Sequence, residues 1–345
     1  MIDFRYHVVS IIAVFLALTV GLVIGASVIN QDSVALLQRE YNDANNAKLN
    51  AQQQLRDLQG SASQQEQYID ETSGTLTSDQ LVNKSVAVVQ IAGANSAAVT
   101  STSQLISKSA NAGIGIDLTV NTSFSDSNYA GVLNQLVSTC TPGNTPISGS
   151  GAVAAMQLLT AAITASTQGT EEPNTNPSAS ASATPSSSPA GCGPQKPANM
   201  TPSWALTTLD AYQGQGVITV NSGPSPTGTL VAAFIAAPDQ VNSTAQNNDY
   251  LALAESLHAD GVGPVVGGTS NSAQAGGLIA AVLADSTAAK NVYTVDDTDR
   301  TMGQVAVVFV MVQVAADAGA NAGHYGLVGS NDGLLPALPS SGASG

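Results

Sequence analysis

The sequence is poor in charged residues, and above all in basic ones. Only nine of its 345 residues are lysine or arginine, against 24 aspartates and glutamates, so the formal net charge is −15 at pH 7. Binding the phosphate backbone of a nucleic acid requires clustered lysines and arginines, and nine residues spread over this length do not form such a surface. The composition therefore argues against a nucleic acid partner.

Residue types that carry catalysis or bind metals are also scarce. The chain has two cysteines, three histidines and five methionines, and the methionines form no close repeat. No G-x-S-x-G turn and no phosphate-loop lysine occur, so we predict a protein that is not an enzyme, without catalytic residues or a cofactor site. We predict no metal site either. His324 in "GHYG", which we expect to be exposed, is a weak candidate ligand because a lone histidine is usually structural.

The two cysteines flank a stretch rich in Ser, Thr, Pro and Ala. In an oxidising compartment Cys140 and Cys192 could form a disulfide that closes this loop, and two free thiols are the alternative. Residues 166–203 have too few apolar side chains for a core, so we predict a disordered insert there. Residues 336–345 are predicted to be a flexible tail.

One long apolar run is present, from residue 8 to residue 29, and it contains no charge. At ~1.5 Å per residue it is about long enough to cross a ~30 Å hydrocarbon core, whereas the apolar part of a cleaved signal peptide is roughly 7–15 residues. We therefore predict an uncleaved signal anchor, with residues 1–30 as a cytoplasmic stub and transmembrane helix. Arg5 precedes the run and the next basic residue is Arg39, which places most of the chain outside the cytoplasm.

Small residues recur at every fourth position of this run. They are Ala13, Ala17, Gly21 and Gly25. Four-residue spacing puts them on one helix face, where they form a shallow groove that allows two backbones to approach. Because this spacing is common in single spans, a plain anchor is the alternative.

We predict that residues 31–70 form a coiled-coil stalk. Apolar and small residues there alternate in steps of three and four, which is the spacing of a heptad seam. The predicted core positions are Val34, Leu37, Tyr41, Leu55 and Leu58. Lys48 at a core position weakens the pattern, and a helix that packs on the chain's own domain is the alternative. Together with the small-residue face, the heptads favour a homodimer or a higher homo-oligomer.

From residue 84 to residue 335, short Val- and Ile-rich runs alternate with helix-length segments. Runs such as "SVAVVQIA" (85–92) suit strands buried on both faces, so we predict an α/β domain with a mainly parallel sheet and helices on both faces. The apolar run at 305–316 is too short for a second span and predicts a core element. "VDDTDR" (295–300) holds three carboxylates before a helix, and we interpret them as favouring its N-terminus rather than binding a hard cation.

The two ends of the chain together resemble a known family. The start, "MIDFRYHVVSIIAVFLALTVGLVIGASV", and the "TVDD" and "GHYG" motifs near the end are similar to the actinobacterial MctB family, the mycobacterial copper transport proteins. The resemblance implies copper transport or copper homeostasis by a pore-like outer-membrane protein, with a copper ion as the transported species. One helical span and strands patterned for a buried sheet instead favour the inner membrane.

The sequence is also compatible with two other functions. A dimeric structural or scaffold protein of the cell envelope would use its paired domains to bind an envelope protein partner. A small-ligand-binding α/β module would use the loops that follow the carboxyl ends of the strands.

Overall fold

The computed structural model describes residues 4–28, 31–143, 147–167, 192, 199–225, 228–317, 320–328 and 332–337. The chain divides into two compact units, Met1–Gln65 and Glu66–Gly345.

The first unit begins with an apolar helix, α1 (Phe4–Val28). Its segment Tyr6–Gly25 has a mean hydropathy of 2.8, and all of its side chains are exposed. By length and composition this segment is able to cross a membrane. The predicted N-terminal apolar helix is thus confirmed.

The next helix, α2 (Gln31–Leu76), is 46 residues long and continues through Gly60 into the second unit. It extends six residues past the predicted end of the stalk at residue 70. The five predicted core side chains are between 50% and 72% exposed. A coiled coil needs a second helix to cover such a seam, so the coiled coil stays a prediction.

The second unit is built on one seven-stranded sheet with the order β3-β2-β1-β4-β5-β6-β7. Its strands are β1 (Lys84–Ile91), β2 (Gly113–Val120), β3 (Ile218–Ser222), β4 (Thr229–Ala236), β5 (Gly263–Gly267), β6 (Tyr293–Val295) and β7 (His324–Tyr325). Every pairing is parallel except that of β3 with β2. The predicted α/β class with a mainly parallel sheet is confirmed.

Helices cover both faces of this sheet. They are α3 (Ser96–Gln104), α4 (Ala130–Cys140), α5 (Gly151–Thr167), α6 (Pro202–Gly214), α7 (Thr244–Ala259), α8 (Leu278–Ala284), α9 (Ala288–Asn291) and α10 (Thr301–Ala316). Alternate side chains of β1 point to opposite faces. Val86 and Val88 pack with α3 and α10, whereas Val89 packs with α4 to α8.

Helix α10 is buried along most of its length. Each of its residues from Gly303 to Val312 is buried. Such all-round burial explains why its sequence is apolar on every face. The prediction of a core element at 305–316, rather than a second span, is confirmed.

Most of the predicted insert at 166–203 lies outside the described residues, as do residues 338–345 of the predicted tail. The two ends of the insert are helical. Ser166 and Thr167 are buried at the end of α5, and Pro202 lies in the first turn of α6. Thr201 caps α6 by accepting a hydrogen bond from the backbone N–H of Trp204 at 3.2 Å. These contacts extend both helices beyond the limits expected from composition alone.

Candidate functional site

A disulfide joins Cys140, at the end of α4, to Cys192. The Cα atoms are 5.0 Å apart, and 52 positions separate the two residues in the sequence. The indole N–H of Trp204 donates to the carbonyl oxygen of Cys140 at 2.7 Å, which brings α6 to the same place. Of the two alternatives that the sequence left open, the structure has the disulfide.

His324 is buried in β7 and only 8% exposed, so the expectation of an exposed side chain is wrong. Its Nε2 lies 2.9 Å from the carbonyl oxygen of Ala289, and its Nδ1 lies 3.0 Å from the hydroxyl oxygen of Thr294. Because a carbonyl can only accept, Nε2 donates to Ala289, while the Thr294 hydroxyl either donates to Nδ1 or accepts from it. Both ring nitrogens therefore have protein partners. The part of the chain that the structure describes holds no group of three His, Cys, Asp or Glu residues placed for a metal ion.

The carboxyl ends of β1 and β4 form the point at which the strand order reverses. In doubly wound folds ligands bind in the crevice at this point. Here Ala94 and Pro238 form an isolated antiparallel bridge across it, and the N–H of Asp239 donates to the carbonyl of Gly93 at 3.0 Å. The hydroxyl of Thr269 donates to the Asp239 carboxylate at 2.6 Å. The chain's own loops thus occupy the place that a small-ligand-binding module would use.

The "TVDD" and "GHYG" motifs, which begin 29 positions apart, meet in the fold. Asp296 directly follows β6, and its carboxylate accepts hydrogen bonds from the backbone N–H groups of Leu327 at 2.7 Å and Val328 at 2.8 Å. Gly326 has a φ of +132°, and a Cβ there would lie 2.0 Å from Oδ1 of Asp296. Only glycine fits this position. Asp296 therefore connects the end of β6 to the loop that follows β7.

Asp297 is a buried carboxylate without a compensating donor. It is 3% exposed, and among the described residues neither of its carboxylate oxygens has a hydrogen-bond partner. Gly303 in the first turn of α10 packs against it, because a Cβ at Gly303 would lie 2.7 Å from Oδ1. Burial raises the pKa of Asp297 to about 6, with further raising by the charges of Asp296, Asp299 and Glu66 and a lowering by Arg300.

The first turn of α10 is capped by α2 and not by the nearby aspartates. The N-cap residue, Arg300, makes no side-chain cap bond. Instead the N–H of Thr301 donates to Oε1 of Glu66 at 2.8 Å, and its hydroxyl donates to Oδ1 of Asp70. Glu66 and Asp70 are four residues apart and share one face of α2. The interpretation of "VDDTDR" as the start of a helix is right, but its acids do not cap that helix because the loop turns Asp296 and Asp297 into the interior.

Five residues thus lie around the first turn of α10, and we name this group the acidic junction. Its members are Glu66, Asp70, Asp297, Asp299 and Thr301. Sequence reasoning missed it because Glu66 and Thr301 are 235 positions apart. The one local signal was the carboxylate cluster itself.

The predicted helix–helix contact residues all lie on α1. A Cβ built at Gly21 or at Gly25 meets no atom within 4 Å. The groove is therefore open in the single chain, and a contact through it stays a prediction.

Comparison with known proteins decides the family. A family model described as "Copper transport outer membrane protein, MctB" matches residues 1–336. The chain belongs to the MctB family. Relatives named "Copper transporter MctB" from Mycobacterium bovis and Mycobacterium tuberculosis are each 24% identical over 328 residues, which cover 94% of this chain and 96% of the relative.

Membership in the MctB family confirms the resemblance seen in the two terminal stretches. It supports copper transport at the level of the family, together with a location in the membrane or cell envelope. The family and its relatives are named for copper transport and not for an enzymatic reaction.

Proposed function

We propose that this chain is a single-pass envelope protein of copper homeostasis, with most of its residues extracytoplasmic. The observation that carries the proposal is the MctB match over residues 1–336, which covers the apolar helix as well as the α/β domain. The hydropathy of α1 supports an anchor, and Arg5 before it supports a cytoplasmic N-terminus. Copper is then the transported species and not a resident cofactor.

The proposal places α1 in the inner membrane. A helix satisfies its own backbone hydrogen bonds in lipid, whereas outer-membrane spans are tilted strands of closed barrels with alternating patterns. The strands of the described sheet are instead mostly parallel, and the sheet is covered on both faces.

We also propose that the working form is a homodimer or a larger homo-oligomer. A single apolar helix leaves no water-filled path for an ion, so transport requires several copies. Two features support self-association: the open groove of Ala13, Ala17, Gly21 and Gly25 on α1, and the exposed heptad positions of α2. Burying these heptad side chains against a second copy removes apolar surface from water.

Copper flux is the direct test of the transport function. The full chain is reconstituted into liposomes that hold a copper-responsive dye, and copper is added outside. We expect dye signal to rise faster than in protein-free liposomes. Flux equal to that of protein-free liposomes would contradict transport by this chain.

Replacing Gly21 and Gly25 together with leucine is expected to lower the yield of cross-linked dimer at least threefold. The added side chains fill the groove and keep the two backbones apart. An amine-reactive cross-linker measures this, because Lys48 lies at a predicted core position and would meet its counterpart in a parallel pair. The matched control is Ile12→Leu with Val23→Leu, which changes the opposite helix face. Equal yields of cross-linked dimer from both variants would indicate that the segment is a plain membrane anchor.

A dimeric scaffold of the cell envelope is the second candidate function. The exposed heptad residues of α2 favour it, because pairing through them requires no ion path. If the protein is a scaffold, we expect deletion of residues 84–337 to abolish the capture of an envelope protein partner in pull-downs. Copper tolerance should then stay unchanged. A loss of copper tolerance in the same deletion would favour the transport function instead.

A further inference from the structure

The acidic junction combines a helix cap with a buried charge. Glu66 and Asp70 accept hydrogen bonds from the backbone N–H and the hydroxyl of Thr301, so one turn of α2 holds the first turn of α10 in place. That first turn packs on Asp297 through Gly303. The turn that Glu66 and Asp70 hold therefore lies against a buried carboxylate whose oxygens have no donor among the described residues.

We propose that the acidic junction is a proton-controlled latch. Uptake of a proton by Asp297 closes the Glu66–Asp70 turn of α2 on the start of α10, and loss of that proton opens it. The latch concerns the end of α2 within the Glu66–Gly345 unit, and it does not depend on copper transport.

The physical basis is the cost of an unpaired buried charge. An ionised carboxylate without donors in the interior is strongly unfavourable, and it is relieved either by a proton or by renewed contact with water. A metal ion is a poorer candidate for this role, because the described residues contain no three ligands placed around one point. The proton is the smallest species that removes the charge.

Most of the charges around Asp297 favour its protonated form. From its own loop, Asp296 and Asp299 repel its ionised form and Arg300 attracts it, while α2 contributes the repulsion of Glu66. The first turn of α10 presents Gly303, which has no charge. Burial is the largest cause of the raised pKa of Asp297, which lies at about 6. Opening the turn would return this pKa toward its ordinary value of 3.8.

Hydrogen exchange measured on the full chain in detergent micelles tests the latch. The readout is the opening equilibrium of the Thr301 amide, taken from the exchange rate after division by the intrinsic rate at each pH. Linkage predicts more opening at pH 7.5 than at pH 5, and a full return of the Asp297 pKa to its ordinary value would make the difference about tenfold. In Asp297→Asn, which cannot ionise, we expect less than a twofold change. The control variant Asp260→Asn removes a carboxylate whose pKa burial also raises, but at the end of α7, and it keeps the wild-type dependence.

A second variant keeps the test decisive if Asp297→Asn does not fold. Asp299 is exposed, so Asp299→Asn is tolerated, and it removes one like charge from Asp297. We expect the midpoint of the opening transition to move to lower pH. The proposal is overturned by wild-type opening that does not depend on pH, by full pH dependence in Asp297→Asn, or by an unmoved midpoint in Asp299→Asn.

Discussion

Reduction of the Cys140–Cys192 disulfide is expected to lower the free energy of unfolding of the Glu66–Gly345 unit by about 4 kcal/mol. A cross-link across 52 positions removes conformations from the unfolded chain, and the loop-entropy relation predicts a loss of about this size when the cross-link is broken. The loop contains α5 and residues 166–191 of the predicted insert, so the unfolded chain without the cross-link is far less restricted.

Urea unfolding with and without reductant measures this loss. Trp204 is the single tryptophan of the chain, and it is buried beside Cys140, so its fluorescence reports directly on this unit. Circular dichroism provides a second probe that the sulfur atoms do not quench. The double variant Cys140→Ser with Cys192→Ser should match the reduced wild type. A difference below about 1 kcal/mol between oxidised and reduced protein would show that the loop is restrained by other contacts.

Asp297 is expected to make the same unit less stable as the pH rises. Its pKa is about 6 in the folded chain against an ordinary value of 3.8, so the folded state holds a proton that the unfolded state has already lost. Stability therefore falls as the pH rises from the unfolded toward the folded pKa, and it levels off above the folded pKa. The full effect is about 3 kcal/mol at 1.36 kcal/mol per pKa unit, and most of it develops between pH 4 and pH 7.5.

Asp297→Asn removes this dependence because an amide does not titrate. The measurement is the difference in free energy of unfolding between wild type and variant at pH 4 and pH 7.5, again through Trp204. We expect the difference to shift in favour of the variant by 2 kcal/mol or more over this range, on the order of the linkage effect. Asp126→Asn, at an exposed turn, serves as a control without such a shift. A constant difference between wild type and Asp297→Asn would mean that Asp297 ionises with equal ease in both states.

The local sequence pattern identified the helices and strands of this protein, but it did not identify which side chains contact one another. The run at 305–316 reads as a core helix because it is apolar on all sides, and α10 is that helix. "GHYG" offers no such pattern, and His324 is buried only because Thr294 and Ala289 supply partners for both ring nitrogens. Those partners come from the preceding strand and helix, and their positions depend on how β7 pairs with β6.

The sequence by itself determined the apolar span, the alternation of strands and helices, and the family, since each is carried by residues that are close together or by motifs in fixed order. Only the tertiary structure decided that Glu66 and Asp70 cap α10 and that Asp297 packs against the same first turn without a donor among the described residues. The reason is physical. A cap or a desolvation cost depends on which groups meet in space, and here the groups that meet are separated by more than 200 positions of chain.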